Sequence, residues 1–250
     1  MTTIGWKMNN TLEYLDELFP EAKCELNYSK DYELLIAVML SAQTTDKRVN
    51  EVTKVLFSKY PTLETLSKSN ISDLKKIIYP LGTYTKKSKN IIDIANSLIN
   101  IGGTVPNDRN FLESLSGVGR KTTNVVLSIL YNEPCIAVDT HVARVSKRLG
   151  FASKNDDVLK IEKKLTKIIP KNKMNKAHHQ FVLFGRYYCI ARTPKCIDCK
   201  LQYFCKYKKS TSNWSAFLFC YANCFSKWFY CFIIISNIVF NCMSTNCRSI

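Results

Sequence analysis

The chain has 250 residues and carries 36 Lys and Arg against 20 Asp and Glu, with 46% apolar residues and only 8 Gly and 7 Pro. This composition is typical of a globular protein of one or two domains, and it excludes collagen-like and low-complexity disordered chains. The formal net charge of +16 is far above what solubility requires. It favours a polyanionic partner, with nucleic acid ahead of an anionic membrane surface.

Helical periodicity dominates residues 1–209, and no stretch shows convincing strand alternation. The run from Asp31 to Leu40 is almost continuously apolar and too long for a typical strand, so we predict a helix buried on most of its faces. Another helix is expected after Thr45 and Asp46, which are suitable N-cap residues. Three more are predicted from apolar residues at helical spacing: Ile91–Ile99 before Gly102-Gly103, Val138–Leu149 before Gly150, and Val158–Ile168 before Pro170. The predicted fold class is therefore all-α.

The segment from Asp108 to Tyr131 predicts two helices joined by Ser116-Gly117-Val118-Gly119. Two glycines within three residues let the backbone turn tightly and approach another molecule, while the N–H groups at the start of the second helix point outward. Such a turn can bind a phosphate without reading bases. A bare GxG turn is usually an ordinary connection between helices, but here Arg120-Lys121 follow at once in a strongly basic chain. We therefore predict a phosphate-binding hairpin.

Four cysteines near residue 200 have the spacing C-x6-C-x2-C-x5-C: Cys189, Cys196, Cys199 and Cys205. The N-terminal sequence MTTIGWKMNN has no apolar leader, which favours a reducing, cytoplasmic location over a disulfide framework. Four thiolates this close in a reducing compartment predict either a tetrahedral metal site or an iron–sulfur cluster, and the spacing alone does not choose between them. The adjacent His178 and His179 would point in different directions on a helix, so we predict core positions, or positions that support the site residues from behind, rather than a metal site.

Residues 210–250 differ in composition from the rest of the chain. They have ten aromatic residues and only Lys227 and Arg248 as charges, and they lack Gly, Pro, Asp and Glu. Their apolar run is interrupted at Ser236 and Asn237, which makes it a marginal candidate for a bilayer span of roughly 20 apolar residues. We interpret this stretch as an atypical, frameshifted tail rather than a membrane anchor.

The motif LSGVGRKTTNVV, followed by AVDTHVARV, resembles the helix-hairpin-helix and Gly/Pro…Asp motif of DNA glycosylases, and specifically of the endonuclease III family. The resemblance extends from about Leu26 to Lys209, through ELLIAVMLSAQTTD and the terminal cysteines. It implies two helical lobes with a DNA cleft between them. The implied domains are an N-terminal helix (1–23) packing with the cluster domain, a six-helix barrel with the hairpin (24–133), and an iron–sulfur cluster domain (134–209), followed by the tail (210–250).

The resemblance also implies roles for individual residues. Lys121 corresponds to the family's nucleophile, and we expect the helix start, Arg120 and burial to favour its neutral amine. Asp139 corresponds to the carboxylate that faces this lysine, and as an ordinary residue it is also a suitable N-cap. The four cysteines would hold a 4Fe–4S cluster. The expected DNA contacts are Gln43, Gly117, Gly119, Arg120, His141, Arg144, Arg192 and Lys195. The family usually has Leu where this chain has Thr83, and this Thr offers less apolar surface for stacking.

The implied function is that of a bifunctional DNA glycosylase and abasic-site lyase that removes oxidised pyrimidines in base excision repair. Its partner would be double-stranded DNA containing damaged pyrimidines or abasic sites, with no small-molecule substrate, and the protein is expected to be a monomer. Two alternatives stay open. One is a monofunctional mismatch glycosylase of the same superfamily, against which Lys121 argues, and the other is a non-catalytic iron–sulfur DNA-binding module.

Overall fold

The computed structural model describes residues 3–207, which form eleven α-helices and no strand. They are α1 (Thr3–Leu18), α2 (Asp31–Leu40), α3 (Asp46–Lys59), α4 (Leu63–Ser67), α5 (Ile71–Ile78), α6 (Tyr84–Ile99), α7 (Arg109–Ser114), α8 (Arg120–Tyr131), α9 (Thr140–Leu149), α10 (Val158–Ile168) and α11 (Met174–Leu183). A π-helical turn, Phe184–Tyr188, continues α11. The prediction of an all-α class is confirmed. The interpretation of residues 210–250 as a tail falls outside the described residues.

Most predicted helices form where their sequence patterns place them. Every residue of α2 from Tyr32 to Leu40 is buried, as its continuous apolar sequence predicts. Thr45 is the N-cap of α3 and accepts a hydrogen bond from the Arg48 N–H. Among the described helices, none is both long and apolar enough to cross a membrane.

One predicted boundary is wrong, because Val138 lies outside the helix that its spacing assigned it to. The helix α9 begins at Thr140, and Asp139 before it has an extended backbone with φ −97° and ψ −174°. Val138 is nevertheless buried, because the extended segment from Ile136 to Val138 packs into the hydrophobic core. An apolar residue at helical spacing can therefore be buried by tertiary contacts without being part of the helix.

The buried residues form two separate hydrophobic clusters. The first is built on α2 to α8, with α2 at its centre, where Leu34, Leu35 and Leu40 are fully buried. The second combines α1 with α9, α10, α11 and the segment that follows, so the chain starts in one cluster, builds the other, and returns. Full burial of a Leu side chain stabilises the fold by about 1.5–3 kcal/mol, so each cluster supplies a rigid support for the loops at its edge.

Candidate active site

The two glycines of the hairpin between α7 and α8 have different roles. Gly117 has φ +78°, and a Cβ built on it would lie 2.1 Å from the Asn90 side-chain nitrogen, so only glycine fits there without strain. Gly119 has an ordinary negative φ of −108°, is the N-cap of α8, and would carry a Cβ into open space. The hairpin therefore needs its first glycine for the turn. The second glycine leaves room beside the first N–H groups of α8.

Lys121 and Arg120 lie in the first turn of α8, as predicted, but their environments differ from the expectation. Lys121 is exposed, so the prediction that this residue is buried is wrong. Arg120 is engaged by Glu162 of α10, with its Nε 3.1 Å from both carboxylate oxygens and its Nη2 2.6 Å from Oε1. This ion pair ties the start of α8 to α10.

Asp139 is the N-cap of α9, and the prediction of that structural role is confirmed. Its Oδ1 accepts a hydrogen bond of 2.7 Å from the Val142 N–H. This cap uses Oδ1 alone, and the residue is half-buried. The cap fixes the carboxylate at the start of α9.

Two buried polar side chains, one from α8 and one from α11, contact the segment before Asp139. Asn124, one turn after Lys121, donates from Nδ2 to the Ile136 carbonyl at 3.2 Å. His178 of α11 donates to the Ala137 carbonyl and lies within electrostatic reach of Lys121. Burial, chiefly, and then the neighbouring His179 and Lys121 lower the pKa of His178 to about 3, so this imidazole is neutral at physiological pH. The predicted core position of His178 is confirmed, and it brings Lys121 and the Asp139 segment to the same side chain.

A cavity of about 710 Å³ is lined by residues with polar or charged side chains, and neither Lys121 nor Asp139 is among them. Arg186 contributes a guanidinium that is paired with Glu25 at 2.5 Å and with Asp46 at 2.9 Å. His141 lines the same cavity, and so does Thr44 from the loop before α3. The cavity can therefore offer both hydrogen-bond donors and acceptors to a planar polar group.

Gln43 and Thr83 lie in two exposed loops, and both have left-handed backbone conformations, with φ 60° and 44° respectively. A residue other than Gly is uncommon in this region, and a β-branched residue such as Thr is a clear outlier there. Such strain at an exposed loop tip is typical of a functional position.

The other predicted DNA contacts divide into exposed and engaged side chains. Arg192 and Lys195 are exposed near the cysteines, and the Lys195 amine lies 5.8 Å from the Tyr188 ring centre. The Arg144 guanidinium donates to the Gly185 carbonyl at 2.7 Å and to the Cys189 carbonyl at 3.2 Å, and it contacts His141 Nδ1 at 3.2 Å. Arg144 thus braces the segment that leads to the cysteines, and a contact to DNA stays a prediction for it.

The four cysteines are free, half-buried thiols. The pKa of Cys199 is raised to about 11 by burial first and also by the electrostatic influence of the other three thiols, so the four lie near one another. Among residues 3–207, however, no group of three or more Cys, His, Asp or Glu side chains is arranged to hold a metal ion. Four soft thiol donors in mutual electrostatic reach fit an iron–sulfur cluster chemically.

Arg148 organises the cysteine segment, and no sequence pattern predicted this role. Its guanidinium donates to the Cys189 sulfur at 3.2 Å and to the Ile190 and Ala191 carbonyls at 2.8 Å. The Arg148 carbonyl in turn accepts from the Cys205 thiol at 3.3 Å. The position was missed because one arginine among 36 basic residues carries no local signal. Asn124, a polar residue within an apolar helix face, did carry one.

The comparisons with known proteins agree with this arrangement. Residues 36–171 match the model of the family described as HhH-GPD superfamily base excision DNA repair protein. The chain is 46% identical to endonuclease III of Bacillus subtilis (strain 168) over 196 residues, which is 78% of this chain and 90% of that protein. It is 43% identical to endonuclease III of Escherichia coli (strain K12) over 199 residues, which is 79% of this chain and 94% of that protein.

Solved structures give the same picture. A non-covalent endonuclease III–DNA complex is 47% identical with a TM-score of 0.78, and the match covers 82% of this chain and 96% of that one. A trapped endonuclease III–DNA covalent intermediate has the same identity, 47%, and TM-score, 0.78, over 82% of this chain and 97% of that one. A thermostable thymine-DNA glycosylase shares the fold at 22% identity, with a TM-score of 0.74 over 82% of this chain and 98% of that one.

Proposed function

This chain belongs to the endonuclease III family of HhH-GPD base excision DNA repair proteins, and we propose that it excises oxidised pyrimidines with Lys121 as the attacking nucleophile. As a member of that family it is a DNA glycosylase and abasic-site lyase. The observation that carries the assignment of Lys121 is its position: an exposed amine in the first turn of α8, beside the hairpin and within electrostatic reach of His178. Asp139 is proposed as its carboxylate partner.

The reaction proposed for Lys121 begins when its neutral amine attacks C1′ of the damaged nucleotide. The bond between C1′ and the base breaks, and the base leaves with the bonding electron pair. The nitrogen, now bonded to C1′, loses a proton, and its lone pair expels the ring oxygen O4′, which takes up a proton as the sugar ring opens. The resulting protonated Schiff base acidifies the C2′ proton. Loss of that proton drives β-elimination, which breaks the bond to the 3′ oxygen and cuts the strand. No oxidant or reductant is needed in this sequence.

Asp139 can assist this reaction from the position that its cap fixes. A lysine attacks as the free amine, so its ammonium form has to give up a proton first. The half-buried Asp139 carboxylate is an acceptor for that proton, and its negative charge also stabilises the positive charge that develops on the sugar. The neutral His178 adds no second cation beside the reacting groups.

The hairpin and the cavity are proposed to hold the two parts of the substrate. The open space at Gly119 lets a DNA phosphate approach the first N–H groups of α8. The cavity beside His141 and Arg186 is proposed to receive the extruded base, because the bond to be broken cannot be reached inside the base stack. The lining residues include hydrogen-bond donors and acceptors that can pair with the carbonyl and N–H edge of a pyrimidine.

Cys189, Cys196, Cys199 and Cys205 are proposed to hold a 4Fe–4S cluster. Their thiol chemistry supports this, and so does the Arg148 hydrogen bond to the Cys189 sulfur, since such donors stabilise a sulfur ligand that carries negative charge. When bound, the cluster would supply the structural cross-link of this segment. The exposed Arg192 and Lys195 would then be presented to DNA phosphates.

The proposal is tested by borohydride trapping on a duplex that contains thymine glycol or an abasic site. We expect the native chain to form a covalent adduct, Lys121→Ala to form none, and the exposed-surface control Lys167→Ala to match the native chain. Asp139→Asn keeps an N-cap side chain but loses the carboxylate, so it should slow adduct formation by about 10²–10⁴-fold with little loss of stability.

Other outcomes of this experiment contradict the proposal in distinct ways. Release of the base without a trapped adduct would show a monofunctional glycosylase. Duplex binding without either reaction, in a folded and cluster-loaded protein, would show a DNA-binding module without catalysis. Adduct formation by Lys121→Ala would exclude Lys121 as the nucleophile.

A further inference from the structure

Lys87 connects the two exposed loops that carry Gln43 and Thr83. The residue lies in α6 and is only 4% exposed. Its Nζ donates to the Ala42 carbonyl at 3.0 Å and to the Leu81 carbonyl at 2.9 Å, and to the Leu40 carbonyl at the end of α2 at 3.0 Å. We call residues 41–45 the Gln43 loop and residues 79–83 the Thr83 loop. One amine thus holds the backbone of both loops.

Core packing alone does not explain why a lysine occupies this position, because burying its amine is energetically costly. Burial of a charged ammonium group is strongly unfavourable unless its donors are satisfied, and burial lowers the pKa of Lys87 accordingly. A methionine would fill a similar volume without that cost. The amine instead satisfies its three donors with three backbone carbonyls, two of which belong to exposed loops.

The two loop carbonyls immediately precede the strained part of each loop. The Ala42 carbonyl belongs to the peptide that enters Gln43, with φ 60°, and the Leu81 carbonyl to the peptide before Gly82, next to Thr83 with φ 44°. The Thr44 hydroxyl also donates to the Leu81 carbonyl at 2.9 Å, so a second contact joins the same two loops. Fixing these peptides restrains the direction in which both exposed side chains point.

We propose that Lys87 is a positioning residue that sets the spacing between Gln43 and Thr83, so that both side chains enter the duplex together where a nucleotide is extruded. The inference rests on the proposed function, because it needs a duplex from which a nucleotide leaves. Lys87 is buried and does not reach the DNA itself. Its effect should therefore appear only where two strands have to be separated, and not in the covalent chemistry of Lys121.

The test compares one abasic-site oligonucleotide as a duplex and as a single strand. Borohydride trapping rates are measured on both forms for the native chain, for Lys87→Met, and for Lys89→Met. The last variant removes an exposed lysine from the same helix and is the matched control for charge. We expect Lys87→Met to trap the duplex at least about tenfold more slowly and the single strand within about twofold of the native rate, because only in a duplex do Gln43 and Thr83 have to enter the space left by the extruded nucleotide. Lys89→Met should leave the ratio of the two rates unchanged.

Lys87→Gln provides a second variant in case Lys87→Met does not fold, which far-ultraviolet circular dichroism shows. It is a milder change at the same residue, but its amide cannot satisfy all three carbonyls, and we expect a duplex-specific loss of about threefold from this variant. Thr44→Val, which removes the hydroxyl contact to Leu81, is used only to measure duplex binding, because Thr44 also lines the cavity. An equal loss on both DNA forms, or an unchanged duplex rate in a folded Lys87→Met, would overturn the inference while native trapping still upholds the proposed function. If the native chain traps neither DNA form, the proposed function fails, and this inference fails with it.

Discussion

Acid should destabilise this protein through His178. The residue is 6% exposed in α11. Its pKa is lowered from 6.5 to about 3, chiefly by burial and then by the charges of His179, Lys121 and Arg186, while a hydrogen bond to the Ala137 carbonyl acts in the opposite direction and raises it. Above pH 6.5 the imidazole is neutral in both the folded and the unfolded chain, so it adds no pH dependence. Between pH 6.5 and pH 3 only the unfolded chain binds the proton, and stability falls as the pH falls.

The size of the effect follows from the difference between the two pKa values. Each pH unit within that window lowers the free energy of unfolding by about 1.4 kcal/mol per group. At pH 5 the loss from His178 is therefore ~2 kcal/mol relative to pH 7. Such a loss is a large part of the stability of a typical domain, which is about 5–15 kcal/mol.

Urea unfolding of the native chain and of His178→Gln at pH 7, 6 and 5 measures this loss. The free energy of unfolding of the variant should fall less between pH 7 and pH 5 than that of the native chain, by ~2 kcal/mol. The difference between the two proteins is the relevant quantity, because acid also protonates other groups, such as His179, whose pKa burial lowers to about 4. Equal pH slopes for the two proteins would refute the reasoning. Titration by nuclear magnetic resonance adds a check on the site, since Lys121→Ala should raise the pKa of His178.

Two further substitutions test the hairpin and its support. Glu162→Gln removes the charge that pairs with Arg120. Because Glu162 is 9% exposed but Arg120 is half-exposed, we expect the free energy of unfolding to fall by about 1–2 kcal/mol. An unchanged urea midpoint would contradict this. Gly117→Ala places a Cβ 2.1 Å from the Asn90 side chain at φ +78°, so it should cost more than about 1 kcal/mol of stability and weaken duplex binding in a fluorescence anisotropy titration. Gly119→Ala is its matched control, because the added Cβ meets nothing within 4 Å, and equal stability losses for the two alanines would contradict the different roles of the glycines.

Local sequence patterns predicted the elements whose causes are local. The bounds of α8 and α10 match their predicted segments, and Asp139 caps α9 as its residue type indicates. These features depend on residues within one or two turns of each other, which the sequence displays directly. Val138 shows the limit of that reasoning, because an apolar residue at helical spacing can be buried by distant contacts instead.

The contacts that connect distant segments could not be read from the sequence. Glu162 lies 42 positions after Arg120, and Arg148 lies 41 positions before Cys189, yet both pairs make direct side-chain contacts. The exposure of Lys121 was mispredicted for the same reason, since burial depends on which elements pack over a residue. Lys87 had no distinguishing neighbour in its lysine-rich segment.

The sequence by itself determined the all-α class, the hairpin with its Lys121, the cap at Asp139 and the group of four cysteines. It could do so because periodicity, capping and ligand spacing are short-range properties of the chain. Only the tertiary structure decided that His178 is neutral beside Lys121, that Glu162 engages Arg120, and that Lys87 joins the Gln43 and Thr83 loops. Each of these depends on the packing of helices far apart in sequence, where burial changes the charge state of a group and a backbone carbonyl becomes the partner of a distant side chain.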